Sequence, residues 1–325
     1  MSRALDLISL AAEAGADAAK FQHFRAEWIV SDKGFRELGS QQSHQAAWKK
    51  SVFEVYQDAS LPWEWTEPLA QRAKEEGVHF FTSPYDFEAI DFVDPFVPAY
   101  KVGSGDITWL ATIDKMASKG KPVILATGAS TLEDVERAVD TIRPHGIPYA
   151  LLQCNTNYTA ASSNFEHIHL NVLKTFRRHF PDAILGLSDH THGHSTVLGA
   201  VSLGARIVEK HLTDDNNREG PDHHFSMTPA SWEEMVAKTR ELESALGLED
   251  KILAGNEAET VVLQRRGLRF ARQMKSGESV QTADLVALRP ATPGGLAPFE
   301  ESQVVGKVLK QDVELHDTVS LSLFH

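Results

Sequence analysis

Short apolar runs recur through most of the chain, separated by longer stretches in which apolar positions return every three to four residues. The short runs are 17–22, 78–82, 99–103, 122–126, 149–154, 183–188 and 205–210. Runs of this length, closed by polar or turn residues, predict strands. The stretches between them, such as 131–142, 165–179 and 194–203, carry the helical period. Ser130 with Glu133 reads as a capping box at the start of the first. Strand–helix alternation means parallel pairing, because each crossover helix returns the chain to the same edge. No G-x-G-x-x-G follows the first strand, and polar residues gather just past many strand ends. Both features favour a closed (β/α)8 barrel, with its site at the C-terminal mouth, over an open doubly wound sheet.

Closure needs eight strands and the pattern supplies seven. The chain opens in a helical pattern at Leu5, Leu7, Ile8, Ala11 and Ala12. We therefore expect a barrel lacking its first strand, in preference to a strand overlooked near 24–30. The helical pattern ends with 232–246. A polar connector follows, and from Arg265 short strands alternate with turn residues: Gly277-Glu278, Pro290, Pro293-Gly294-Gly295 and Gly306-Lys307. The expected organisation is a barrel over 1–247, a linker over 248–264 and a small β-rich domain over 265–325.

Composition narrows the partners. The 325 residues include 32 Lys and Arg against 45 Asp and Glu, a formal charge of −13. With no basic cluster, that balance argues against nucleic acid or an anionic membrane surface. A hydrophobic share of 42% excludes a disordered chain. The single cysteine, Cys154, excludes an intrachain disulfide and fits a reducing compartment. No apolar run approaches the roughly 20 residues that span a bilayer. The expectation is an acidic cytoplasmic protein.

Chemistry concentrates past the strand ends. Of fifteen histidines, six fall within 190–224: His190, His192, His194, His211, His223 and His224. His190 and His211 each follow a strand and lie one βα repeat apart, so neighbouring strands would carry both imidazoles to one rim. Two imidazoles at a polar mouth, with Asp189, Asp214 and Asp222 as nearby oxygen donors, point to a divalent ion such as manganese. The alternative is that these histidines cap helices or bind phosphate. Lys20, Lys101, Lys210 and Arg289 adjoin strands or turns. Lys20 and Gln22 share one strand face while Phe21 takes the other. With Ser104, Thr127 and Ser188 these cations would form a phosphate or carboxylate cradle. Alternatively they pair structurally with Asp17, Asp106 and Glu209. Asp106, in Gly103-Ser104-Gly105-Asp106, and Asp222, in the 220–226 loop, could bind sugar hydroxyls or move protons. Cys154, inside an apolar strand, reads as core.

Several blocks together resemble the sialic acid synthase (N-acetylneuraminate synthase) family. They are Ala14-Gly15-Ala16-Asp17-Ala18-Ala19-Lys20-Phe21-Gln22, Thr82-Ser83-Pro84-Tyr85-Asp86 and Tyr100-Lys101-Val102-Gly103-Ser104-Gly105-Asp106. Gly186-Leu187-Ser188-Asp189-His190-Thr191, Glu209-Lys210-His211-Leu212-Thr213-Asp214 and the 220–226 loop continue the likeness. Leu288-Arg289-Pro290 with Gly306-Lys307 resembles that family's antifreeze-like (SAF) carboxyl-terminal domain. The resemblance implies a (β/α)8 barrel and a divalent metal, usually Mn2+, with Mg2+ or Co2+ as alternatives. It implies condensation of phosphoenolpyruvate with an N-acetylated hexose such as N-acetylmannosamine. It also implies a domain-swapped homodimer. By position, His190 and His211 match the metal ligands. Lys20, Lys101, Ser104 and Ser188 match groups holding phosphoenolpyruvate, and Asp106 matches an active-site carboxylate. Tyr158 and Asp222 match substrate-side residues, and Arg289 matches an arginine reaching the N-acetyl group across the dimer.

Joined to the reading of the residues, the expected catalytic set is Asp106, Asp222 and Lys20. The expected substrate contacts are Gln22, Lys101, Ser104, Thr127, Tyr158, Ser188 and Arg289. The family's opening Glu-Ile-Gly-x-Asn-His-x-Gly block is absent, Ala126 stands where some members carry serine, and Asn155-Thr156-Asn157-Tyr158-Thr159 departs from the common pattern. These departures leave legionaminic and pseudaminic acid precursors open as acceptors. The alternatives are another enol-phosphate-condensing keto-sugar-acid synthase, against which the carboxyl-terminal domain argues, and a truncated inactive member.

Overall fold

Seven parallel strands pair in chain order to form one curled sheet in the computed structural model, which describes residues 1–39, 45, 48–159 and 161–325. They are β1 Ala18–His23, β2 His79–Pro84, β3 Tyr100–Val102, β4 Val123–Ala126, β5 Tyr149–Cys154, β6 Ile184–Asp189 and β7 Ile207–Lys210. Each strand lies within two residues of its sequence expectation. The sheet is covered by helices on its outer face, so β5 is buried at all six positions. Phe80, Tyr100, Leu125, Leu151 and Leu187 from the strands pack with Ile113, Val139, Ile142 and Leu173 from the crossover helices. β1 and β7 are the sheet's outer strands, and among the described residues no further strand joins either edge. The 24–30 region is no strand, because Ala26–Ile29 is a helical turn.

Three local expectations are corrected. The helix Leu132–Ile142 is capped one residue later than expected. The Thr131 hydroxyl accepts from Asp134 N at 3.3 Å, and the Asp134 carboxylate accepts from Thr131 N at 2.8 Å. Ser130 instead donates its hydroxyl to Thr127 O at 2.7 Å. The 165–179 stretch divides into a 3-10 segment, Ser162–His167, and the helix Val172–His179. The 248–264 connector carries the helix Ala258–Gln264.

The chain divides into two compact units, Met1–Gly247 and Leu248–His325. The second has its own core, including Leu268, Phe270, Val280, Val304, Leu309, Val319 and Phe324. Its antiparallel pair is β8 Gly267–Phe270 and β9 Leu285–Leu288. Among the described residues no helix is long and apolar enough to cross a membrane.

Candidate active site

In a strand, successive side chains point to opposite faces, so register decides which charges meet. Ser188 pairs in register with Glu209, and Asp189 with Lys210. Ser188 and Glu209 therefore share one face, and Asp189 and Lys210 share the other. The Ser188 hydroxyl donates to Glu209 Oε1 at 3.2 Å. On the same face Lys101 Nζ lies 3.6 Å from Glu209 Oε1 and Lys20 Nζ lies 3.9 Å from it. The Lys101 side chain is only 3% exposed, so this is a buried charge cluster. Burial works to raise the Glu209 carboxyl, but Lys101, Lys20, His211 and the Ser188 hydroxyl prevail and hold it down at about 2. Burial also pushes the Lys20 ammonium down, opposed by Glu209.

One step further along the same two strands stand His190 and His211, with ring centroids 5.3 Å apart. His190 Nδ1 donates to Asn155 O at 3.0 Å, which leaves the lone pair on Nε2. Burial and the neighbouring His211 lower the His190 imidazole to about 4, so it is neutral near pH 7. His211 is lowered by burial against the pull of Asp222, whose Oδ2 lies 3.5 Å from His211 Nδ1. That carboxylate is delivered by the loop after β7. Met227 N donates to His211 O and Thr213 N to Met227 O, both at 2.8 Å, folding the loop back over the strand end. Phe225 from this loop and Tyr158 close around the imidazoles. Tyr158 lies 4.3 Å from His190 and 5.6 Å from Phe225, ring centre to ring centre.

The Ser104 hydroxyl accepts from Gly128 N at 3.0 Å. Thr156, Ser104 and Cys154 converge on the space where a Gly128 side chain would sit. Asp106 is pushed up to about 6 by burial, with Lys101 opposing. Gln22 donates to the Tyr85 hydroxyl at 2.8 Å, beside Gly103. Burial raises the Tyr85 and Tyr56 hydroxyls, with Asp106 adding to both.

The strand ends thus bring Lys20, Lys101, Ser188, His190, His211 and Asp222 to one mouth. Other sequence expectations fall elsewhere. Lys210 turns away from this mouth to Asp189, so neither joins the cradle or the imidazoles. Asp214 pairs with Arg3 and Arg218. Thr127 donates its hydroxyl to Leu152 O at 3.0 Å. Arg289 belongs to the second unit, where its Nε donates to Gln264 O at 2.7 Å. In the sequence Glu209 reads only as a structural ion-pair partner, and Tyr85 and Gly128 carry no signal of their own. The available signal was alternation: with His211 turned inward, Glu209 must be inward and Lys210 outward.

A curled parallel sheet with charged and imidazole side chains at its strand ends defines a barrel-type α/β protein. The model of the NeuB family matches residues 7–251, and the chain belongs to that family. It is 33% identical over 322 residues to the N,N'-diacetyllegionaminic acid synthase of Legionella pneumophila, covering 97% of this chain and 88% of that protein. It is 30% identical over 315 residues to the human N-acetylneuraminate-9-phosphate synthase, covering 96% and 86%. Among solved structures, the N-acetylneuraminic acid synthetase of Leptospira borgpetersenii, in complex with citrate, superposes with a TM-score of 0.70. That match has 26% identity and covers 80% of this chain and 85% of that one.

Proposed function

We propose that this chain condenses phosphoenolpyruvate with the open-chain aldehyde of an N-acyl sugar, giving a 2-keto sugar acid and inorganic phosphate. The observation that carries this reading is the convergence of Lys20, Lys101 and Glu209 beside the His190–His211 pair. The names of the relatives support the class of product and leave the acceptor open among neuraminic, legionaminic and pseudaminic types.

The residues suit the chemistry. Lys20 and Lys101 fix the anionic donor, with the Ser104 and Ser188 hydroxyls as hydrogen-bonding groups and Gly128 N holding Ser104 in place. The C2=C3 π pair of the enol phosphate forms the bond from C3 to the aldehyde carbon, the carbonyl π bond breaks, its oxygen takes up a proton, and positive charge develops at C2. Water adds at C2 and loses a proton; the bond from C2 to the phosphate oxygen then breaks, releasing inorganic phosphate as the new C2 hydroxyl loses its proton and becomes the ketone. Glu209, anionic and buried against the two lysines, is placed to offset that charge. Asp106 and Asp222 are the groups for proton movement and for sugar hydroxyls, and Tyr158 and Gln22 border the acceptor.

His190 and His211 fit a divalent cation such as Mn2+, Mg2+ or Co2+, because burial keeps both imidazoles in the neutral, ligating form. Among the described residues no group of three His, Cys, Asp or Glu side chains is arranged for a metal, so water or substrate oxygens would complete the sphere. Such an ion, when bound, polarises the acceptor carbonyl. The second unit is proposed as the antifreeze-like domain, with Arg289 serving the site of a partner subunit.

The test is phosphate release with each substrate alone and with both. The proposal expects manganese-dependent release only when phosphoenolpyruvate and an N-acyl sugar are present together. Release from the enol phosphate alone at the same rate would overturn it.

A further inference from the structure

Behind the two imidazoles, on the opposite face of the same strands, lies a second charge pair. Lys210 Nζ donates to Asp189 Oδ2 at 2.6 Å and to Thr191 O at 2.6 Å. Both side chains are essentially closed to solvent, at 1% and 0% exposed. Asp189 is saturated beyond that contact. Thr196 donates to Oδ2 at 2.7 Å, the Thr191 hydroxyl to Oδ2 at 2.8 Å and Thr191 N to Oδ1 at 3.1 Å.

The placement of this network matters more than its strength. Asp189 precedes His190 and Lys210 precedes His211, and the two are register partners across β6 and β7. Their contact fixes the register one step before both strands leave the sheet. The Lys210 bond to Thr191 O clamps the residue on the other side of His190 as well. His190 is thus held between two fixed neighbours and by Asn155 O on its own ring. A one-residue slip of either strand would turn that strand's imidazole away from the mouth, and removing either charge would leave the other buried without a partner.

We infer that Asp189 and Lys210 are positioning residues that set the separation and orientation of the His190 and His211 rings. This inference rests on the reading of those rings as metal ligands. It assigns Asp189, Lys210, Thr191 and Thr196 no contact with the metal or substrate. Their effect is on cation affinity, whereas the enol phosphate is held mainly by groups on β1 and β3.

The experiment uses the full chain. Mn2+ affinity is measured by electron paramagnetic resonance of the free ion, and phosphoenolpyruvate binding by tryptophan fluorescence. Variants are Asp189→Asn, Lys210→Met and Thr196→Val, with His190→Ala as reference. Asp189→Asn and Lys210→Met are expected to weaken Mn2+ binding by about tenfold or more. Thr196→Val, which removes one neutral hydrogen bond, should weaken it by about two- to fivefold. Enol phosphate binding should stay within about twofold of wild type in all three, on the scale of a minor lost contact. Should a charge variant fail to fold, Thr196→Val carries the test. Wild-type Mn2+ affinity in folded Asp189→Asn or Thr196→Val, with His190→Ala defective, overturns this inference alone. Parallel loss of both ligands in Thr196→Val also overturns it, because it marks general damage. Wild-type affinity in His190→Ala overturns the metal reading and this inference with it.

Discussion

The Cβ that Gly128 lacks would overlap the Thr156 hydroxyl oxygen and lie 2.9 Å from that of Ser104. Gly128 is therefore the open floor beneath a cluster of hydroxyls, and its amide donates to one of them. Gly128→Ala is expected to leave the fold standing, since Thr156 can swing aside. It should raise KM for phosphoenolpyruvate by about tenfold, the scale of one lost hydrogen bond to a charged group. Initial-rate kinetics with the acceptor saturating would show it, and an unchanged KM would remove Gly128 from the donor site.

Asp106 sits where ionisation costs stability. Its folded pKa, about 6, lies above the ordinary aspartate value of 3.8, so the folded chain holds the proton more tightly than the unfolded one. Its contribution makes the fold more stable as pH falls from about 6 toward 3.8, and less stable above 6. Asp106→Asn should accordingly raise stability at pH 7 by about 1–3 kcal/mol while lowering kcat. Urea unfolding paired with turnover is the measurement.

His23 behaves in the opposite sense. Its two ring nitrogens meet Thr82 Oγ1 at 2.8 Å and Thr66 Oγ1 at 2.7 Å, and burial lowers it to about 4 from 6.5. The unfolded chain takes up this proton first. The neutral ring's contribution is complete above pH 6.5 and is lost as pH falls from there through 4. Its full size is at most about 3 kcal/mol. Urea midpoints measured between pH 7 and 4 should fall less steeply for His23→Gln than for wild type. Parallel curves would contradict this.

Glu209→Gln would strip the shared counter-charge from Lys20 and Lys101. Leaving two ammonium groups uncompensated should cost about 2–4 kcal/mol of stability. The freed cations should hold the enol phosphate at least as well, so kcat should fall by about 100-fold without a rise in KM for that substrate. A higher KM with kcat intact would assign Glu209 to binding.

The strand ladder was readable because parallel strands buried on both sides leave compact apolar runs, as 149–154 shows. So were Lys20, Lys101, His190 and His211, whose polar side chains interrupt or immediately follow such runs. Glu209 is legible as an ion-pair partner of the strand lysines, and so it proves with Lys20 and Lys101, but only alternation tells that it shares their face and that Lys210 does not. The Thr131 cap was displaced by one because adjacent hydroxyls at 130 and 131 both suit the role, and only the backbone decides. Gly128 and Tyr85 carry no spacing signal. They matter through approach between loops from different strands, which a linear pattern does not encode.

Cys154 is the chain's sole thiol and is 6% exposed, shut inside β5 at the floor of the mouth. Burial raises it, so little thiolate exists to react. An alkylating probe therefore has one target, and reaches it only when this strand end opens. Labelling time becomes a clock for that opening, with no engineered tag, and ligands that seal the mouth should slow it.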